Sequence, residues 1–188
     1  MSEKLEHLQE LIGRLGTVGV HVVCVGGAAR DLYLGREPKD YDLAVYRIDP
    51  HYGFGGMSGH AREAVFHIAG NVVTLDPATA EGYCDEAGDR GLVGVYECEY
   101  KGMTIQVLEF TDDRMELWKG DPYFIVEEHD CTLNFAWLEP SPVSGELVPR
   151  VHGEFPSPFN GSINEFRNER NLERRMYIQG KFPEFTHK

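Results

Sequence analysis

The sequence predicts an α+β domain, and three stretches carry that reading. Leu5, Leu8, Leu11, Ile12 and Leu15 recur at helical spacing between polar residues, which places an amphipathic helix at the start of the chain. Residues 19 to 25 form a β-branched, apolar run suited to a buried strand. VYECEYKGMTIQVLEF, beginning at Val95, reads as two strands turning at Lys101-Gly102.

At 188 residues the chain has room for one domain with a full core and a short appendage. The expected division is a head over residues 1 to 140 and a proline-rich connector with a terminal helix over 141 to 188. Charged residues make up 26% and hydrophobic ones 41%, ordinary for a soluble protein, and no stretch approaches the roughly 20 apolar residues of a membrane helix. The opening MSEKLEHLQE lacks the apolar core of a signal peptide. Cys24, Cys84, Cys98 and Cys131 are scattered, with no metal-ligand spacing, and read as buried thiols of a cytoplasmic protein. A formal charge of −13 repels phosphate backbones and argues against an extended nucleic-acid surface.

The elements follow in order. Gly16 stands where a cap for the first helix is expected. Gly26 and Gly27 break the first strand, and Ala28 to Leu34 make a short helix that Gly35 ends. Tyr41, Leu43 and Val45 alternate with Asp40, Asp42 and Ala44, so a second strand turns one set inward and both carboxylates to the other face. HYGFGGMSG, residues 51 to 59, is a glycine-rich loop, and a helix follows from Ser58 to Ala69. Residues 77 to 93 read as a long polar loop. A two-residue hairpin turn sets Tyr100 opposite Met103, Cys98 opposite Ile105, Tyr96 opposite Val107 and Gly94 opposite Glu109. From 122 to 138 apolar residues fall at helix-like intervals, 139 to 158 read as an irregular connector, and 162 to 180 as a charged helix with Ser162 and Glu165 as a capping box.

The chemistry gathers on carboxylates. On a strand, residues i and i+2 share a face, so Asp40 and Asp42 suit two cations a few ångströms apart, as in phosphoryl-transfer sites. Oxygen ligands favour Mg²⁺ or Mn²⁺. Glu109 falls on the apolar face of the hairpin, where a carboxylate is costly unless it is paired or binds metal. It is expected either as a third metal ligand or as a core carboxylate paired with Arg30 or Arg36. The glycine pair offers backbone N–H groups to a triphosphate. Arg30 and Asp31 have the alternative of pairing with each other, and Asp130 and Asn134 that of a structural hydrogen-bond network. His51, His60, His67, His129 and His152 form no ligand spacing and read as ordinary histidines. Arg167, Arg170, Arg174 and Arg175 are the one basic stripe.

The run Gly26-Gly27-Ala-Ala-Arg30-Asp31 with Leu34-Gly35-Arg36, then Asp40-Tyr41-Asp42, resembles the signature of the DNA polymerase beta-like nucleotidyltransferases. It is closest to bacterial poly(A) polymerases and class II CCA-adding tRNA nucleotidyltransferases. Asp130-Cys131-Thr132-Leu133-Asn134-Phe135-Ala136 resembles that subgroup's second motif, in which an arginine pair precedes the aspartate. Here Glu128-His129 stand in place of that pair. The resemblance covers roughly residues 19 to 140 and implies a small mixed β-sheet with flanking helices, the nucleotidyltransferase head. By it, Asp40 and Asp42 with Glu109 bind two Mg²⁺ or Mn²⁺ ions. Gly26, Gly27, Arg30 and Arg36 meet the nucleotide's phosphates, and Asp130 and Asn134 shape its pocket.

The expected function is transfer of a nucleoside monophosphate from an NTP such as ATP to an acceptor hydroxyl, an RNA or tRNA 3′ end or a small molecule or protein. The alternatives are a degenerate head that binds nucleotide or a partner without catalysis, and phosphate-ester hydrolysis on the same metals. In the tRNA enzymes a long helical part follows the head. The resemblance leaves only the 162 to 180 helix in its place, so complete CCA addition is not expected of this chain alone.

Overall fold

The computed structural model describes residues 2–47, 60–74, 92–110, 122–126, 129, 132–152 and 176–185. Helix α1 (Glu3–Thr17) begins where the Ser2 hydroxyl accepts from the Leu5 amide, and it buries Leu8, Leu11 and Leu15 completely. The helix runs through Gly16 and is capped at Val18, whose N–H bonds the Leu15 and Gly16 carbonyls, two residues later than the glycine suggests.

Strands β1 (Val20–Val25) and β2 (Tyr41–Arg47) run antiparallel, joined by the short helix α2 (Gly27–Tyr33). Helix α3 (His60–Ala69) and strand β3 (Val72–Thr74) lead toward the hairpin of β4 (Leu92–Tyr100) and β5 (Met103–Phe110). That hairpin has the register its sequence predicts, from Tyr100 opposite Met103 to Gly94 opposite Glu109, because Lys101 and Gly102 both take the positive φ that a two-residue turn requires. Among the described residues the sheet has seven strands in the order β3-β4-β5-β2-β1-β6-β7, with β6 (Ala136–Pro140) and β7 (Leu147–Val151) at one side. Among the described residues the β2–β5 pairing alone is parallel, so the sheet is mixed, with helices flanking it.

Two expectations change here. Residues 122 to 138 are not one helix. They hold a single turn, α4 (Tyr123–Val126), a 3₁₀ turn at Thr132–Asn134 and then β6. The stretch from 139, expected to be irregular, instead completes a β6–β7 hairpin across the expected boundary at 140. Pro149 is tolerated because β7 is the sheet's edge strand, where a missing N–H leaves no ladder bond unmade.

The two faces of β2 set up everything that follows. Tyr41, Leu43 and Val45 enter the main core with α1, α3 and the inward residues of β4 and β5. Ala44 enters a smaller core on the opposite face with Val23, Val25, Ile125 and Val126. Asp42 lies on that second face. A third cluster, Leu133, Ile178 and Phe182, joins the C-terminal segment to the 3₁₀ turn.

Candidate active site

Val25 pairs with Asp42, so the end of β1 delivers the chain beside that carboxylate. The next residue, Gly26, has φ 70° and ψ −128°, a backbone conformation open essentially to glycine alone. Its N–H donates to the Ala136 carbonyl at 2.8 Å, which ties the turn to β6 and removes one of the amides the glycine pair was expected to offer a phosphate. A Cβ on Gly26 would lie 2.8 Å from His129 Nε2 and 3.7 Å from Asp42 Oδ2. An imidazole and a carboxylate therefore converge over the bare glycine. His129 Nδ1 is 3.1 Å from the Val126 carbonyl, which can only accept, so Nδ1 carries a proton and Nε2 is the ring nitrogen set against the Gly26 turn. Asp40 is half-buried in the bend just before β2, not on the strand itself.

Four residues beyond Gly26 a second polar cluster forms. Arg30 is only 3% exposed. Its Nε donates to Asp31 Oδ1 at 2.8 Å and its Nη1 to Asn134 Oδ1 at 2.6 Å. Its guanidinium lies 4.3 Å from the centre of the Phe182 ring, and that of Arg36 lies 4.6 Å from the same ring. Lys181 Nζ donates to Asp31 Oδ2 at 3.2 Å, while Arg36 donates to the Lys181 carbonyl at 3.3 Å and to the Glu184 carboxylate. Gly27, the first residue of α2, faces this group, since a Cβ there would meet Arg30 Nη2 at 3.6 Å. The pairing of Arg30 with Asp31 weighed from sequence is present. Arg30, Arg36 and Asn134, expected around a nucleotide, are gathered with the C-terminal segment.

Glu109 is not brought to Asp42. The parallel register sets Asp42 beside Gln106 and Val45 beside Glu109. Glu109 therefore shares the core face with Val45, three positions and roughly 10 Å farther along the sheet than Asp42. It is 4% exposed and accepts from the Tyr96 hydroxyl at 2.9 Å. Gly94 makes that bond possible, since a Cβ there would sit 2.4 Å from the same hydroxyl oxygen. The side chain in register with Asp42 is the amide of Gln106, which donates to Glu97 at 3.4 Å. Among the described residues no three carboxylate, imidazole or thiol groups close on one point. Asp130, Glu128, the 53–59 loop and the arginine stripe from 167 to 175 lie outside the described residues.

The buried thiols are not nucleophiles in waiting. Burial, reinforced by the negative charge of Asp42, holds Cys24 well above its ordinary range, and burial raises Cys98 to about 11. Sequence reasoning missed His129, Lys181 and Phe182. The signal for His129 was its place in the second motif, where Glu128-His129 stand instead of an arginine pair, but nothing in the sequence set it against Gly26.

No family model matches the sequence, and no curated protein matches it. Solved structures do match in shape. A tRNA-processing enzyme in its apo form 2 superposes with a TM-score of 0.52 at 15% identity, over 92% of this chain and 43% of its own. The fold is shared with part of that enzyme. A Thermotoga maritima CCA-adding enzyme complexed with tRNA matches at a TM-score of 0.49 and 20% identity, over 80% of this chain and 30% of its own. A CCA-adding enzyme with CTP matches at 0.47 and 24%, over 79% and 29%. The chain thus spans less than half the length of each. Within this fold the mixed sheet, the short helix after a glycine turn and the Asp42 strand were expected, while the imidazole beside the Gly26 turn was not. Among the described residues no helix is long and apolar enough to cross a membrane.

Proposed function

We propose that the chain is a metal-dependent nucleotidyltransferase that moves a nucleoside monophosphate from an NTP to an acceptor hydroxyl and releases pyrophosphate. The observation that carries this reading is the Asp42 carboxylate set beside a glycine turn where a side chain is missing, on the second face of the central strand. A half-buried carboxylate next to a cradle that any Cβ would fill fits a cation with a phosphate beside it. Asp40 and Asp42 would hold Mg²⁺ or Mn²⁺, and bound metal of this kind lowers the pKa of an attacking hydroxyl and neutralises a leaving pyrophosphate. Glu109 is left out of this set, because its carboxylate belongs to the core face.

The protein's own contribution is positional. The missing side chain at Gly26 lets His129 and Asp42 approach the turn, and the Gly26 bond to Ala136 fixes that turn against the sheet. The fold likeness to a tRNA-processing enzyme supports an RNA 3′ end as acceptor, and the charge of −13 favours a local grip on that end over a long backbone track. Isothermal titration of ATP, CTP, GTP and UTP with Mg²⁺ tests the reading. Metal-dependent binding that disappears in Asp42→Ala supports it, and binding indifferent to that substitution removes it.

A second reading is a head that binds nucleotide or a partner without catalysis. It is favoured by Arg30 and Arg36 being engaged with Asp31, Asn134, Phe182 and Glu184. Mg²⁺-dependent release of pyrophosphate from any NTP by the full chain excludes it.

A further inference from the structure

We propose that the second face of the β6–β7 hairpin is a platform for a single-stranded RNA 3′ end, on which the Trp137 ring stacks a base and Arg150 meets a phosphate. The inference rests on the nucleotidyltransferase reading above and names where the acceptor lies.

Register builds the platform. Residues paired across neighbouring strands share a face, so the pairings lay one row across the sheet: Glu97, Gln106, Asp42, Val25, Trp137 and Arg150. Side-chain contacts agree with the row. Trp137 packs on the second-face cluster that holds Val25. Its indole N–H donates to Glu139 Oε2 at 3.1 Å, and Arg150 Nε donates to Glu139 Oε1 at 2.6 Å. Phe135 packs on the same cluster and meets the His152 ring edge to face, with 5.9 Å between centroids.

The row is asymmetric about Asp42. Toward β5 and β4 it passes through the neutral Gln106 to the carboxylate of Glu97, and the exposed Glu99 follows on the same face of that strand. A polyanion is repelled in that direction. Toward β6 and β7 it passes over the fully buried Val25 to an indole and a guanidinium. A nucleic-acid strand whose 3′ hydroxyl stands at Asp42 is therefore led across β1 to the hairpin. Two strand spacings, about 10 Å, separate Asp42 from Trp137, the length of about three stacked nucleotides. Trp137 thus receives a base just behind the reacting end.

The chemistry of each group fits that task. Trp137 is only partly buried and its N–H is already bonded, so what it offers a ligand is its π face, which stacks on any base. The Arg150 and Glu139 side chains are 46% and 38% exposed, and ion pairs of that kind are weak enough for the guanidinium to turn to a phosphate. One ring and one cation give a short, local grip, which a chain of charge −13 permits where it opposes a long backbone track.

The test is the emission of Trp137 in the full chain carrying Trp118→Phe, which leaves it the single tryptophan. The probe is a short unstructured RNA oligonucleotide of mixed sequence with a free 3′ hydroxyl. Quenching of Trp137 by the RNA is expected. In the natural chain, Trp137→Leu keeps an apolar group against the Val25 cluster and is expected to lose roughly ten-fold or more of RNA affinity, while Trp137→Phe keeps most of it. Both variants are expected to bind NTP as the wild type does. Arg150→Gln should reduce the slope of log affinity against log salt by about 0.7. RNA that leaves Trp137 emission unchanged, in a protein that binds NTP with Mg²⁺, overturns this inference and leaves the transferase reading standing. Two results with acrylamide as quencher do the same. A Trp137 shielded from it before RNA is added, and unmoved by RNA, gives the face to the protein's own chain, and shielding that rises with protein concentration gives it to a second copy. Failure of the wild type to bind any NTP with Mg²⁺ overturns both.

Discussion

The corner at Gly26 and the cluster at Arg30 stand four residues apart in the chain and treat charge in opposite ways. At Arg30 the charges satisfy one another, with Arg30 and Asp31 buried and Lys181 reaching in from the surface. A guanidinium, two carboxylate oxygens, an amide and an ammonium close around a ring that is completely buried. At Gly26 a half-buried carboxylate and an imidazole crowd a turn that has no side chain of its own, the imidazole taking the room a Cβ would need. A polar cluster whose members neutralise each other is a device of folding, since desolvated charges are tolerated only when paired. A half-buried carboxylate beside a glycine turn keeps its charge where a ligand can reach it. The sequence run from Gly26 to Arg36 contains both, and spacing alone assigns them all to the nucleotide.

The largest expected effect breaks the comparison at its binding side. Asp42→Ala should lower NTP-dependent transfer about a thousand-fold, corresponding to about 4 kcal/mol of transition-state stabilisation. Its melting temperature should stay within roughly 3 °C of the wild type, because a half-buried polar side chain outside the apolar clusters carries little of the core. Pyrophosphate release and thermal melting measured on the same preparation check both halves. A variant that keeps half of the wild-type rate removes the corner from the mechanism.

Arg30→Ala should do the reverse. It leaves Asp31 and Asn134 buried without their main donor, a loss of about 3–5 kcal/mol. Lys181, which still reaches Asp31, holds the figure to the lower end. Urea unfolding reads this directly. Stability within about 1 kcal/mol of wild type, together with lost NTP binding, would falsify the structural assignment and return Arg30 to the nucleotide.

Gly26→Ala sits between the two regions and separates backbone from space. The left-handed backbone alone should cost about 1–3 kcal/mol of stability. The new methyl group would also press on His129 Nε2, which would lie 2.8 Å away, and close the volume above Asp42. A Gly26→Ala, His129→Ala double variant should recover the steric part and keep the backbone part. Equal melting temperatures for the single and double variants would show that the imidazole swings aside freely.

The legible parts of the molecule were those in which a local pattern had one physical solution. The hairpin register followed from Lys101-Gly102 and the alternation on either side of it, and the buried face of β2 followed from Tyr41, Leu43 and Val45. Glu109 was correctly read as lying on the apolar face. Its partner was the Tyr96 hydroxyl thirteen residues back, a diagonal contact that depends on Gly94 and on the parallel pairing with β2, which no local pattern encodes. The stretch from 122 to 138 misled because short apolar segments satisfy helical and strand periods equally well, and only the pairing of β6 with β1 and β7 decides for strand at its end. His129 and Phe182 were illegible for the same reason as each other. Each owes its place to chain segments distant in sequence, the glycine turn in one case and the α2 arginines in the other.

The smallest effect sharpens the comparison most finely, because Arg36 shares the Phe182 ring with Arg30 and differs from it in exposure. Arg36 is exposed, and its side-chain partners are the exposed carboxylate of Glu184 and a backbone carbonyl. Exposed ion pairs are worth about 0–1 kcal/mol, so Arg36→Ala should shift the urea midpoint only slightly, and less in high salt. NTP affinity is the discriminating readout. If it is unchanged, the contact with Glu184 and Phe182 is all that Arg36 does, and the whole face from Arg30 to Arg36 belongs to folding. A fall of about ten-fold at constant stability, about 1.4 kcal/mol, would mean that Arg36 leaves Glu184 to serve the phosphates. The binding region would then extend from the Gly26 corner across the exposed edge of the arginine cluster, with only buried Arg30 remaining structural.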